Sequence, residues 1–320
     1  MNEILAYRPP ADAPKWRRRL LYSPPARILV FILLTVAIGF PLHLLLRLAG
    51  WVGPDAPRSL GIPGALLQYA IPSITAYLLL TRKLERRWPT ELLRRRFVAD
   101  FALGALAGAA YITAVVVALW LAGAYEIADT RRDIQFAGSL LVTGLGAAIF
   151  EELLFRGVLF RIVEEGLGTW AALLVSALVF GFVHIGNPGA TVWSSVAIAI
   201  EAGLLLGMTY QVTRSLPLCI GLHAAWNFTQ GSVYGSAVSG MASRNSWLVP
   251  RVSGPDWLTG GAFGFEASVL AAGIGLAAAL ALAAVAGRRG TIVDWRPGRA
   301  PAAARIEADN GLAATASPPC

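Results

Sequence analysis

Charge is what this chain has least of. Its 320 residues are 14% charged and 56% hydrophobic, where a soluble domain carries roughly 25% charged residues. A deficit spread along most of the length excludes an ordinary soluble domain and points to lipid as the solvent. Cysteine is also scarce. Cys219 and Cys320 give no disulfide framework, and a Cys in last place is no prenylation box. There is no His-Glu-x-x-His run, which argues against a zinc peptidase of that type. No Gly-x-Ser-Gly accompanies a membrane histidine, and no pair of aspartates lies within the apolar segments. Serine and aspartyl intramembrane chemistries are thereby disfavoured. The short alternating segments of a barrel are missing, and so is the internal repeat expected of many transporters.

What is present is a series of long apolar runs. About 20 such residues cross a bilayer as a helix, and eight runs qualify: roughly 28–48, 60–80, 101–124, 137–160, 169–187, 192–210, 215–232 and 263–286. The fold class read from this is all-α, a polytopic transmembrane helix bundle of about eight spans, because backbone in lipid must satisfy its own hydrogen bonds. The first run follows a 27-residue polar lead, so it does not read as a cleavable signal.

The net charge of +8 flanks the spans, so topology explains it better than nucleic acid does. The lead carries six Lys/Arg, the connection 81–96 seven, and the tail after the last run five. The alternate connections together carry Arg58, Arg131, Arg132, Arg244 and Arg251, with Arg47, at the outer edge of the first span, as a sixth if it is counted there. This bias predicts a multi-pass membrane protein with both termini inside, in a bacterial plasma membrane. The same segments would also be drawn to anionic lipid. The organisation expected is a basic lead (1–27), three spans (28–124), a core of four spans (130–232), an outer loop (233–262), a last span (263–286) and a disordered tail (287–320).

Ionisable residues inside spans cost about 2.5–3.5 kcal/mol each and are usually paired or functional. Here they cluster. The fourth run holds Glu151, Glu152 and Arg156, the fifth His184, the seventh His223 and Asn227. Glu152 and Arg156 are i,i+4 neighbours and can pair. Glu151 points about 100° away, so the two carboxylates are expected to have separate roles, with Glu151 facing the bundle centre as a candidate general base. His223 and Asn227 share a helix face. His184 falls late in its run and joins the others only if that span is tilted, broken or shifted. His43, on the first run, reads as structural. Glu201, in the sixth run, lies outside these motifs; it reads as a structural pair or as a cavity-lining group.

The succession Glu-Glu-x-x-x-Arg, Phe-x-x-x-His, His-x-x-x-Asn on successive late spans resembles the CPBP family. That family comprises type-two CAAX prenyl endopeptidases with bacteriocin-processing, lysostaphin-resistance-like and abortive-infection-type homologues. The resemblance covers about 130–232. It implies an eight-helix bundle with a cavity open to the cytoplasmic leaflet, and an intramembrane endopeptidase acting on a membrane-associated peptide or protein. It also implies roles. Glu151 matches the water-activating carboxylate, His184 its partner, His223 and Asn227 the oxyanion holders, and Glu152 with Arg156 the supporting ion pair. No cofactor is called for in that scheme. Glu151, His184 and His223 with a water would also make a catalytic zinc site, so zinc stays open as the alternative. A non-catalytic scaffold, immunity or transport protein is the competing class.

Overall fold

The computed structural model describes residues 7, 9–10, 13–93, 95–243 and 245–295. Cys320 and most of the expected tail lie outside these residues. Seven helices among them are long and apolar enough to cross a membrane. They are α1 (Pro24–Leu48), α2 (Ser59–Leu84), α3 (Phe97–Leu121), α4 (Phe136–Leu167), α5 (Thr169–Gly186), α6 (Val192–Thr213) and, last in the chain, α8 (Val269–Arg288). Between α6 and α8 runs α7, Leu216–Phe228, which continues with a wider turn through Thr229–Val233. It is not among the seven, because His223, Asn227, Thr229, Gln230 and Ser232 dilute its apolar character. Its side chains are almost all buried, so it meets protein where the other helices meet lipid. The eight helices form the polytopic all-α bundle.

Small residues seat α7. A Cβ on Gly104 or Gly108 of α3 would fall 2.0 Å from the carbonyl oxygen of Leu218 or Leu222, and one on Gly221 would fall 2.2 Å from that of Phe101. Glycines four apart let two helices approach to backbone contact, which is how helices associate where lipid removes the hydrophobic drive between them. Gly181 of α5 likewise meets the Ser195 carbonyl at 2.2 Å, locking α5 to α6. Helix α4 changes winding twice. Its turns widen over Ser139–Gly146 and over Leu153–Phe160, and the six residues between them, Ala147–Glu152, end on the paired glutamates. Such widened turns recur at functional sites.

The two ends of the bundle differ in chemistry. One end gathers the starts of α1, α3, α5 and α7 with the finishes of α2, α4, α6 and α8. It holds a buried charge network: Glu85 accepts from Arg27 and Arg161 at 2.9 Å and from Arg87 at 2.8 Å. Burial alone would push the Glu85 carboxyl up, but the three guanidinium groups hold it below its ordinary value. Arg214 meets Glu164 at 2.9 Å, and Ser215 donates to Asp100 at 2.8 Å. The segment after α8 docks here, with the Thr169 amide on the Val293 carbonyl at 2.9 Å.

The opposite end was expected to contain only connections. It holds a two-stranded antiparallel ribbon, β1 (Tyr125–Thr130) with β2 (Leu248–Val252), pairing Tyr125 with Val252. Backbone outside lipid is free to pair as strands, so the helical argument stops at the bilayer edge. The long connection after α7 folds back over the bundle and is pinned by Gly240 N–H to the Phe263 carbonyl at 2.8 Å. Gly240 has φ +80°, and a Cβ there would sit 1.9 Å from the Pro188 carbonyl oxygen, so only glycine serves at this crossing.

Candidate active site

Glu152 lies at the centre of a buried polar chain. It is fully buried, as is Arg156, and the two pair at 2.8 Å. The second guanidinium nitrogen of Arg156 donates to the Ala202 carbonyl at 2.8 Å, and the group lies 4.9 Å from the centre of the Phe180 ring. The i,i+4 pair anticipated from spacing therefore forms. Glu152 has a second partner that spacing did not indicate. Its Oε1 lies 2.8 Å from Nδ1 of His223 on α7. A carboxylate already bound to Arg156 accepts, so this contact places the proton on Nδ1 and turns Nε2 the other way.

Nε2 of His223 points toward Glu151, whose Oε2 is 3.9 Å away. The Oε2 atom has no hydrogen-bond partner, and the side chain keeps 22% of its exposure, against none for Glu152. The two carboxylates nevertheless share a neighbour that spacing did not indicate. They leave the helix in different directions, yet both reach one imidazole, Glu152 from behind and Glu151 from the front. It also bears on the pairing of Glu151 with His184. The histidine within 4 Å of Glu151 is His223; Nδ1 of His184 is occupied by the Phe180 carbonyl at 2.7 Å.

Glu151, His184, His223 and Asn227 nevertheless line one cavity of about 140 Å³, together with Thr143, Asn187, Glu201, Ser239 and Glu266. His184 reaches it although it is the first residue past the α-helical part of α5, in a single tight turn His184–Gly186. The α-helical winding of this span thus ends just before His184, one of the ways in which it was expected to be able to join the others. The amide of Asn227 donates one hydrogen to the Thr143 carbonyl at 3.2 Å and has a second to give. His43, read as structural, lies 3.1 Å from Gln68 on α2, a neighbour that the sequence did not indicate.

Three acceptors in this cavity were missed or left aside. Ser239 and Glu266 come from the folded-back connection, where the Ser239 amide donates to Glu266. Glu266 sits alone in the apolar stretch Phe263–Gly-Phe-Glu-Ala, inside what reads as the last span; a single acid in such a run was a usable signal. Burial pushes its carboxyl up to about 7. Glu201 is fully buried.

Comparison with known proteins now has a geometry to meet. Residues 133–229 match the family model described as type II CAAX prenyl endopeptidase Rce1-like. This segment is similar to the Rce1-like family. It contains Glu151, Glu152, Arg156, His184, His223 and Asn227, and spans α4 to α7. The matched segment is thus similar to CAAX-type intramembrane proteases, and it lies within a set of helices long and apolar enough to cross a membrane. No curated protein matches significantly.

Asn187, Ser239, Met241 and Glu266 bring to the cavity lining residues from the end of the bundle opposite the charge network. No group of three or more His, Cys, Asp or Glu able to hold a metal ion occurs among the described residues.

Proposed function

We propose that the protein is an intramembrane endopeptidase in which Glu151 activates water to cleave a peptide bond of a membrane-associated substrate. The observation that carries the reading is the unpartnered Oε2 of Glu151, facing Nε2 of His223 across 3.9 Å inside the cavity. That gap suits a water molecule held between the two. Hydrolysis needs a base for water and donors for the oxyanion that develops on the carbonyl. Glu151 takes the proton from water as its oxygen attacks the carbonyl carbon. His223, held by Glu152 through Nδ1–H and carrying a second proton on Nε2 when it acts, and Asn227, with a free amide hydrogen, supply the donors that the oxyanion needs. As the C–N bond breaks, the proton held by Glu151 passes to the leaving amine. His184, on the facing wall, is positioned to assist that transfer.

This chemistry calls for no metal. A quenched-fluorescence peptide panel in detergent, with and without exhaustive chelation, tests it: cleavage unaffected by chelation is expected. Cleavage that stops on chelation and returns with zinc would overturn the glutamate mechanism in favour of a metal one. The substrate is a membrane-associated peptide, and a lipidated C-terminus is one form it could take. The competing scaffold reading gives no reason for an unpaired carboxylate beside an oriented imidazole inside a span, where such a group is costly.

A further inference from the structure

We infer that Glu201 is a neutral carboxylic acid in the resting protein, and that its free oxygen is an uncharged acceptor for a backbone N–H of the bound peptide. The inference rests on the peptidase reading of the cavity and adds a binding contact to it.

The argument is a count of protons. Glu201 Oε2 lies 2.7 Å from the Tyr111 hydroxyl, and the same hydroxyl lies 2.9 Å from the Ala271 carbonyl oxygen. A phenol has one proton, and a backbone carbonyl can only accept. If Tyr111 donates to Ala271, an ionised Glu201 would face the phenol oxygen with no hydrogen between them. If Tyr111 donates to Glu201, the Ala271 carbonyl is left against a bare oxygen. One arrangement satisfies all three groups: Glu201 donates to Tyr111, and Tyr111 donates to Ala271. Carboxylic acids in apolar protein sites are known to be held neutral so that they can donate in this way.

The surroundings agree. Glu201 is fully buried. Gly275 of α8 closes over it, where a Cβ would fall 2.8 Å from the Glu201 Cβ, and the Trp226 ring packs on Tyr111 with centroids 4.5 Å apart. The other ionisable groups facing the acid across the cavity are Glu266, Glu151, His184 and His223. The Arg156 guanidinium reaches the neighbouring Ala202 backbone but is spent on Glu152. No cation among the described residues pairs with Glu201.

With its proton committed to Tyr111, Glu201 presents Oε1 as a carbonyl-like acceptor. That atom is buried, has no partner, and belongs to a residue lining the cavity. An unmet acceptor in a site that takes a peptide calls for an N–H donor. An uncharged acceptor suits a main-chain amide better than an ammonium, which would favour an ionised partner.

Glutamine should reproduce the neutral acid, its amide N–H on Tyr111 and its carbonyl in the cavity. Three forms of the full-length protein are compared on a quenched-fluorescence peptide bearing the cleaved sequence: wild type, Glu201→Gln and Glu201→Leu. Glu201→Gln is expected to keep kcat and KM within about threefold. Glu201→Leu is expected to raise KM by up to about tenfold, the worth of one neutral hydrogen bond, with kcat little changed. An infrared difference spectrum of wild type against Glu201→Gln should show a protonated carboxyl stretch lost in the variant; it needs neither activity nor Glu201→Leu to fold. Absence of that band, or an unchanged KM in folded Glu201→Leu, would overturn the inference. Wild type that cleaves no peptide while the band is present would instead count against the peptidase reading on which the binding contact depends.

Discussion

Replacing Arg156 with methionine removes a fully buried positive charge from the bundle while keeping much of the side-chain volume. Its guanidinium, with no exposure, meets Glu152 at 2.8 Å and the Ala202 carbonyl at 2.8 Å. Without it Glu152 remains buried, with the Nδ1–H of His223 as its remaining partner. Breaking a buried pair by removing one member costs about 3–5 kcal/mol, and the abandoned carbonyl adds about 1–3 kcal/mol. A total near 5 kcal/mol rivals the whole stability of a typical domain, so Arg156→Met should melt far below wild type in detergent and accumulate poorly. Glu152→Gln in the same chain removes the stranded charge, and the double variant should recover part of the loss. A double-mutant cycle by thermal melting measures this coupling, which is expected at about 1–3 kcal/mol. An Arg156→Met protein that melts with wild type, or a double variant that is as unstable as the sum of the singles, would refute the central role given to this pair.

Asn227→Ala should lower kcat by about 10²–10³, the cost of one oxyanion donor, with KM nearly unchanged; an equal loss through KM alone would make Asn227 a binding residue. Glu266 should make stability fall with rising pH. Its carboxyl is raised from 4.5 to about 7 by burial, so the folded state holds the proton more tightly than the unfolded chain. The stabilisation is complete below about pH 4.5 and is lost as pH rises through about 7, a change of about 3 kcal/mol. Melting followed from pH 4.5 to 8 should show this decline, and Glu266→Gln should flatten it. A cysteine placed at Met241, on the cavity lining, in a chain lacking Cys320, should react with a membrane-impermeant maleimide in intact cells if the charge bias sets the topology; labelling only after lysis would put this end of the bundle inside.

Much of this architecture was legible in the sequence because a membrane restricts the menu. Length and apolarity marked the helices, and i,i+4 spacing marked the pair of Glu152 with Arg156. Spacing along one helix cannot say which other helix its polar face will meet. The contact of Glu152 with His223 joins residues 71 apart in sequence, so the link between the two glutamates went unread. Nor does hydropathy show that α7 is the inner helix. That follows from Gly104, Gly108 and Gly221, whose role appears only when the backbones touch. The connection after α7 reads as a Gly- and Ser-rich loop, and nothing local says that it folds back to bring Ser239 and Glu266 into the cavity.

The central claim is that Glu151 is the base. Glu151→Gln keeps the shape of the side chain and removes its capacity to take a proton. Purified wild type and Glu151→Gln should be compared on a peptide that the wild type cleaves, with products read by mass spectrometry and folding by melting temperature. The account predicts that the variant melts with wild type and yields no product above background. A folded Glu151→Gln protein that cuts the same bond at a comparable rate would contradict it.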